Sequence, residues 1–428
     1  MGCEFLLEFP VMDSGSSMMK MAMASTVLMG SFSFAVEWTE FRGGPAQGVV
    51  SAKEVPVKLD FEKDVLWKTP IPGKGWSSPV MSEGFVVVTS AVKTDSVELR
   101  TFALDASSGE KKWETTLFKP DPKEAGTIHS KNTLASSSAL IADGVVYAHF
   151  GHMGTAALEL KTGKVKWRYH ETYHAVHGNG GSPVLVDGVL IFSADGKDKG
   201  LLRGLDAATG KKKWEVDRQK DVPRKFSFGT PFAVKVDGEI QVVSQGSGMV
   251  GGYRPKDGQL IWSVDYGKGY SVVPRPIYHE GRIYVTTGFD RAKLMSIRLR
   301  GAKGDITKSH VDWIVERGVP HTPSMVLSGD EIFMVDDTGR FCALDRKTGE
   351  RLWRDTYKRK VSASLTLVGN KLYAFTEEGQ GFVHEVSREG AKEVAVNEFE
   401  EPVFASPIIF DGTMIVRSQN ALWRFGKK

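Results

Sequence analysis

Histidine, lysine, arginine and aromatic residues recur in the segments that lead into a repeated hairpin pattern. Together such groups can bind an anionic or sugar-like ligand, because cations pair with negative charge, rings stack, and amides and imidazoles donate hydrogen bonds. The candidate binding residues are Trp76, His129, Lys131, Asn132, His174, His177, Asn179, Tyr270, Arg275 and His321. Phe226, Phe228, Arg359, Lys360 and Phe404 stand at corresponding positions in other repeats.

Two simpler interpretations of these segments remain open. The polar residues could be a solvated rim in which the histidines cap backbone groups. His174 and His177 could also hold a metal ion, but no third ligand is indicated, and Gly178, Gly180 and Gly181 are typical of a flexible loop. The sequence therefore predicts no metal site.

No catalytic constellation accompanies these residues. There is no phosphate-binding loop and no nucleophile elbow, and the carboxylates mostly fall in turns such as Asp143-Gly144, where turn geometry explains them. The 56 basic and 52 acidic residues are mixed along the chain, which gives no basic patch for nucleic acid. The sequence therefore favours a binding protein without catalytic residues.

A Gly-x-x-x-Trp unit recurs along the chain and indicates an internal repeat. The glycine predicts a positive φ in a tight hairpin with a bulge, and the Trp predicts a docking contact between neighbouring repeats. A sixth copy is stretched by an insertion, and in a seventh Val394 replaces the Trp, so this position either leaves space or is compensated by a neighbour such as Phe399. The predicted docking residues are Trp67, Trp113, Trp167, Trp214, Trp262, Trp313 and Trp353.

A hairpin pattern precedes each of these units, and it predicts an all-β fold. Each repeat supplies four antiparallel strands, which is one blade of a β-propeller, and eight hairpins predict eight blades. The last repeat ends after its third strand, whereas residues 65–71 read as a fourth strand with no partners before it. We predict that this N-terminal strand joins the last blade and closes the ring. The hairpin copies begin at Ser78, Ser138, Ser182, Thr230, Arg275, Thr322, Ser364 and Ser406.

These units resemble the repeats of the pyrroloquinoline-quinone (PQQ) type propellers over residues 38–426. The segments WTEFRG (38–43), HSKNT (129–133), HGNGGSP (177–183) and YSVVPRP (270–276) are similar to a bacterial subgroup of PQQ-binding-like repeat proteins. The resemblance implies a superfamily that contains quinoprotein alcohol dehydrogenases and a non-enzymatic periplasmic propeller of the outer-membrane β-barrel assembly machinery.

The dehydrogenases in that superfamily use adjacent cysteines over the quinone and carboxylates around calcium. This chain has only Cys3 and Cys342, and it has no haem-attachment motif. We therefore expect a non-catalytic binding or scaffold propeller, without a cofactor, that presents its central funnel to a ligand or an envelope protein. A dehydrogenase that uses PQQ with calcium and a scaffold for envelope assembly are the alternatives.

An apolar run before residue 36 indicates export. Residues 21–35 follow Lys20 and end in small residues, which predicts a signal peptide cleaved after Ala35, with Met18 or Met19 as the true start; a buried N-terminal strand is the alternative. We predict a signal peptide at 1–35, an extension at 36–63 and the propeller at 64–428. No later run is long enough to span a membrane, and no Cys follows the cleavage site for a lipid anchor. The expected protein is a monomer, periplasmic or secreted.

Overall fold

Eight antiparallel sheets of four strands each follow one another along the chain and form an eight-bladed β-propeller. The computed structural model describes residues 37–51, 56–218, 220–410 and 412–427, and the predicted signal peptide lies outside these residues. In each blade the four strands are ordered from the centre outward. In blade 1, for example, the first strand is buried and the fourth is partly exposed. The predicted fold class is confirmed.

Blades 1 to 4 are built from consecutive strands. Their bounds are Val80–Ser82, Phe85–Lys93, Val97–Asp105 and Lys111–Phe118 in blade 1; Leu140–Ala142, Val145–His149, Thr155–Glu159 and Val165–Tyr169 in blade 2; Val184–Val186, Val189–Ser193, Leu201–Asp206 and Lys212–Asp217 in blade 3; and Phe232–Val236, Glu239–Gly246, Met249–Tyr253 and Leu260–Asp265 in blade 4.

Blades 5 to 7 follow the same order, and blade 8 takes its outermost strand from the N-terminal side. Their bounds are Ile277–His279, Arg282–Thr286, Leu294–Arg298 and Val311–Val315 in blade 5; Val326–Ser328, Glu331–Val335, Arg340–Asp345 and Arg351–Thr356 in blade 6; Thr366–Val368, Lys371–Phe375, Gln380–Val386 and Ala391–Glu398 in blade 7; and Ile408–Phe410, Thr413–Arg417, Ala421–Phe425 and Val65–Pro70 in blade 8.

Few elements lie outside this pattern. Val49–Val50 pairs in parallel with the innermost strand of blade 7, and Gly304–Asp305 pairs in parallel with the outermost strand of blade 4. One short α-helix, Pro122–Ala125, and two 3-10 helices, Phe41–Ala46 and Gly151–Met153, occur in the described connections.

The ring closes as predicted. Val65–Pro70 pairs antiparallel with Ala421–Phe425, so the two ends of the described propeller share one sheet. Trp67 of this strand is buried against blade 1, and its indole N–H donates to the Ala106 carbonyl at 3.0 Å. The pairing removes two open strand edges, which would otherwise invite association with other chains.

The repeated Trp joins six of the eight blades to the next one. In a typical junction, the Trp167 indole N–H donates to the carbonyl of Ala207 at 2.9 Å, and a Cβ added at Gly210 would lie 2.5 Å from the Trp167 ring. Gly210 has a φ of 73°, so the turn glycine has the predicted positive φ and also makes room for the indole. Equivalent indole bonds to the next blade are made by Trp67, Trp113, Trp214, Trp313 and Trp353.

Trp262 departs from this pattern because of the insertion in the blade 5 repeat. Its indole N–H donates to Gln241 in its own blade at 2.8 Å. The inserted segment runs back along blade 4, where Ala302 and Ile306 join the core around Trp262. Trp262 is consequently fully buried, with 0% of its surface exposed, whereas Trp353 is only partly buried.

A buried histidine in blade 2 predicts how stability depends on pH. His149 is 0% exposed, and burial lowers the pKa of its imidazole to about 3. Protonation then favours the unfolded chain, so this stabilisation is complete above pH about 6.5 and is lost as pH falls from there toward 3. We expect His149→Gln to flatten the dependence of the unfolding free energy on pH between pH 4 and 6 by about 1.4 kcal/mol per pH unit.

Equilibrium urea unfolding across that pH range measures the slope directly. His174→Gln is the matched control, because His174 is exposed, and its curve should run parallel to that of the wild type. If the His149→Gln curve were also parallel to the wild type, the proposed linkage would be refuted.

Candidate functional site

The segments before the innermost strands surround a cavity on the propeller axis, which we call the cup. Its volume is about 300 Å³, within the range of small-molecule sites. Most of its lining consists of hydroxyl and aromatic side chains. The lining residues are Phe41, Trp76, Ser78, His129, Lys131, Asn132, Ser136, Ser138, His177, Gly180, Ser182, Phe226, Phe228, Thr230, Tyr270, Ser271, Val273, Phe289, Thr322, Ser324, Ser362, Ser364, Phe404 and Ser406.

Seven of these hydroxyls form a belt around the cup. The backbone N–H of one blade donates to the hydroxyl oxygen at the same position of the next blade, as from Ser78 to Ser138 at 2.9 Å, and seven such bonds lie between 2.9 and 3.0 Å. The position in blade 5 is Arg275, which has no hydroxyl to accept a bond from Thr230. The belt consists of Ser78, Ser138, Ser182, Thr230, Ser324, Ser364 and Ser406.

The segment 38–50 closes one end of the cup, and we call it the plug. Trp38 pairs with Met81 of blade 1, and Val49–Val50 pairs with blade 7. Between them, the buried Arg42 guanidinium donates to the carbonyls of Met325 at 2.7 Å and Leu365 at 3.2 Å. Gln47 of the plug also donates to the Tyr278 carbonyl of blade 5 at 2.9 Å, so the plug contacts inner strands on opposite sides of the ring, and Phe41 forms part of the floor.

Aromatic rings surround the open end of the cup, which we call the mouth. Trp76 and Phe404 stack with centroids 4.4 Å apart. On another side, His177 packs against Phe226 at 5.5 Å, and Phe226 packs against Tyr270 at 5.5 Å. Burial, and then the neighbouring His129, lower the pKa of His177. These rings offer flat faces to an apolar group, and the imidazoles add polar edges.

Two lining residues of the mouth have strained backbones. His177 has a φ of 64° and Ser271 a φ of 51°, although neither is a glycine. Such conformations cost free energy and tend to occur where a site must hold a side chain in place. Asn132 helps to hold this part of the mouth, because its amide donates to the His177 carbonyl at 2.9 Å.

Lys131 reaches across the mouth from the segment before blade 2. Its ammonium lies 2.7 Å from Glu377 of blade 7 and 3.8 Å from Asp337 of blade 6. Neither carboxylate lines the cup, whereas Lys131 does. The two carboxylates therefore fix the position of the Lys131 ammonium at the cup and compensate its charge from outside the lining.

The structure brings six of the ten predicted binding residues together at the cup. These are Trp76, His129, Lys131, Asn132, His177 and Tyr270. The predicted positions Phe226, Phe228 and Phe404 also line it.

The other four predicted binding residues lie elsewhere. His174 is exposed beside Asp198, and Asn179 is buried against the side chain of Ser137. Arg275 points toward the plug, where it pairs with Glu40 at 2.8 Å. His321 stacks on Phe289 behind the lining, with centroids 4.4 Å apart.

The sequence analysis predicted neither the belt nor the floor of the cup. The belt residues were visible as the small hydroxyl residue that begins most hairpin copies, so their periodicity was an available signal. Phe41 and Arg42 stand in the segment WTEFRG, but nothing in the sequence indicates that this segment crosses the axis. Arg359 and Lys360 are not part of the lining.

The cup does not fit PQQ with calcium. A calcium ion needs carboxylate and carbonyl oxygens, and no Asp or Glu is among the lining residues. Cys342, the cysteine in the described part of the chain, is buried in blade 6, where burial raises the pKa of its thiol to about 11. Within the described ranges, no cluster of three His, Cys, Asp or Glu side chains could hold a metal ion.

Sequence comparison identifies the family. The model of the family described as outer membrane protein assembly factor BamB matches residues 43–175, 172–355 and 342–428. The chain belongs to this family. Two relatives are both described as outer membrane protein assembly factor BamB: one from Yersinia pestis is 23% identical over 74% of this chain and 77% of its own, and one from Burkholderia pseudomallei is 26% identical over 86% and 90%.

Solved structures share the fold of this BamB-family chain. BamB from Moraxella catarrhalis superposes with a TM-score of 0.62 at 13% identity, covering 85% of this chain and 97% of that one. A europium-containing methanol dehydrogenase gives a TM-score of 0.69 at 12% identity, covering 91% and 98%. At these identities the likeness concerns the fold alone, so the dehydrogenase carries no catalytic inference. In the part of the chain that is described, no helix is long and apolar enough to cross a membrane.

Proposed function

We propose that this protein is a non-catalytic scaffold of the periplasm that helps to assemble outer-membrane proteins by binding a protein partner at the mouth of the cup. The observation that carries the proposal is the family match, which extends over nearly the whole described propeller. Export to the periplasm is part of the proposal.

The geometry supports binding in preference to catalysis. The plug covers one end of the cup, so we expect a partner to approach from the mouth. The mouth presents rings such as Tyr270 and the exposed Phe289, whose relative exposure is 39%. Aromatic side chains with one polar edge are enriched where proteins meet.

Deleting the gene in the source bacterium tests the function. We expect the outer-membrane fraction to lose at least about half of its β-barrel proteins, as measured by quantitative mass spectrometry, and a wild-type copy to restore them. Unchanged β-barrel protein levels after deletion would contradict the proposed function.

Two variants with substitutions in blade 5, each supplied as a copy that replaces the deleted gene, test whether the mouth is the binding surface. Phe289→Glu places a charge at the mouth, and the matched control Ile314→Glu places one on the outermost strand, where Ile314 is 46% exposed. We expect Phe289→Glu to fail in complementation and Ile314→Glu to succeed. Full complementation by both would show that the mouth is not the binding surface.

A further inference from the structure

The lining of the cup has an uneven charge distribution. Among the lining residues there is no carboxylate, and the one ammonium, that of Lys131, is paired with Glu377 and Asp337 outside the lining. No carboxylate of the lining therefore repels an anion inside the cup.

Two buried arginines beside the belt have no carboxylate partner. Arg42 and Arg417 are only 2% and 1% exposed, and no ion pair to either is present in the described ranges. Arg417 donates to the carbonyl and the side chain of Ser77, and Arg42 donates to the carbonyls of Met325 and Leu365. Each of these partners is adjacent in sequence to a belt residue.

Burial without a counter-ion is unfavourable for these guanidinium groups. It lowers the pKa of Arg417 to about 9, and burial followed by the charge of Arg275 lowers the pKa of Arg42 to about 9. Arg275 itself is paired with Glu40, so the neighbouring arginines Arg42 and Arg275 share a single carboxylate. Arg42 and Arg417, the two buried arginines without a carboxylate partner in the described part of the chain, therefore lie next to residues that adjoin the belt.

Hydrogen-bond donors face the same space. Each belt oxygen already accepts a backbone N–H, so its own hydrogen remains available to donate into the cup. The indole N–H of Trp76, another lining residue, is buried and has no hydrogen-bond partner among the described residues. An unsatisfied buried donor is costly, and an acceptor on a bound ligand would remove that cost.

We propose that the cup is an anion-binding site, which takes a ligand with a carboxylate or phosphate group at the hydroxyl belt and an apolar body between the rings of the mouth. The anion supplies the negative charge that Arg42 and Arg417 lack, and its oxygens accept hydrogen bonds from the belt hydroxyls. The proposal does not rest on the assembly function, because it concerns a small ligand and is tested with the purified protein.

Two probes that share a phenylpropyl group distinguish the contribution of charge to the affinity from that of apolar contact. We would titrate the purified protein with 3-phenylpropanoate and with 3-phenylpropan-1-ol by isothermal calorimetry, and add inorganic phosphate as a competitor without an apolar body. The carboxylate should bind at least about tenfold more tightly than the alcohol, and phosphate should weaken its binding by competition. Competition shows that a bare oxyanion occupies the belt, whereas the absence of competition would assign the affinity to the apolar body and overturn the proposal.

Variants test whether the preference arises in the cup. Lys131→Gln should reduce the affinity for the carboxylate by about three- to tenfold and leave that for the alcohol unchanged, and Arg417→Met should reduce it further. Lys347→Gln is the matched control, because Lys347 is exposed in a turn of blade 6, and it should bind as the wild type does. Equal affinities for the two probes, or a preference for the carboxylate that survives Lys131→Gln unchanged, would overturn the proposal.

Discussion

A chain that begins at residue 73 should fail to accumulate as soluble protein, with a yield at least about tenfold below that of a chain that begins at residue 56. The shorter chain lacks the strand Val65–Pro70, which leaves the edge of Ala421–Phe425 open. Trp423 and Phe425, now 6% and 0% exposed, would lose their cover from Phe61, whose ring lies 6.0 and 5.3 Å from theirs. An open apolar edge favours aggregation.

The chain that begins at residue 56 is the control for this deletion. It loses the plug but keeps both Phe61 and the closing strand, so it should stay soluble and show a lower melting temperature. Equal yields of the two chains would show that the strand does not close the ring.

Trp262→Ala should lower the free energy of unfolding by about 3 to 5 kcal/mol, through lost contacts and the cavity left behind. Trp262 is fully buried between blade 4 and the insertion of blade 5, and Gln241 would lose the donor to its side-chain oxygen. Equilibrium urea unfolding, followed by circular dichroism, measures the change.

Trp353→Ala is the matched comparison. Trp353 occupies the same repeat position in blade 6, but it is only partly buried and its indole bond to Ser387 lies at the exposed surface. We expect about half the loss seen for Trp262→Ala, since less surface is buried at this junction. Losses of equal size would mean that repeat position, and not burial, determines the contribution of each Trp.

The propeller could be predicted because its signals are local and repeated. Each turn glycine, such as Gly210, needs a positive φ. Each Trp of the repeated unit predicts a contact with the neighbouring repeat, whichever blade it belongs to. The missing Trp at Val394 and the neighbour Phe399 were equally visible, but the residue that packs against Phe399 was not. Phe399 does pack there, at 5.2 Å from Phe61, a residue more than three hundred positions earlier in the chain.

The site could be predicted only in part, because part of it depends on long-range contacts. Residues such as Trp76 and Tyr270 precede inner strands, and propeller geometry alone places them at one end of the axis. The floor comes from the plug, whose Arg42 bonds to residues that are 283 and 323 positions away. The exposure of His174 depends on the path of its loop, which the repeat does not determine.

The most direct test of a partner at the mouth is site-specific photo-crosslinking in living cells. A photoreactive amino acid replaces His129, which is exposed at the mouth, or Lys347, which is exposed in a turn of blade 6 away from it. The account predicts cross-links from position 129 to a component of outer-membrane protein assembly or to an unassembled outer-membrane protein, and none from position 347. Cross-links to such proteins from position 347 alone, or from neither position, would contradict it.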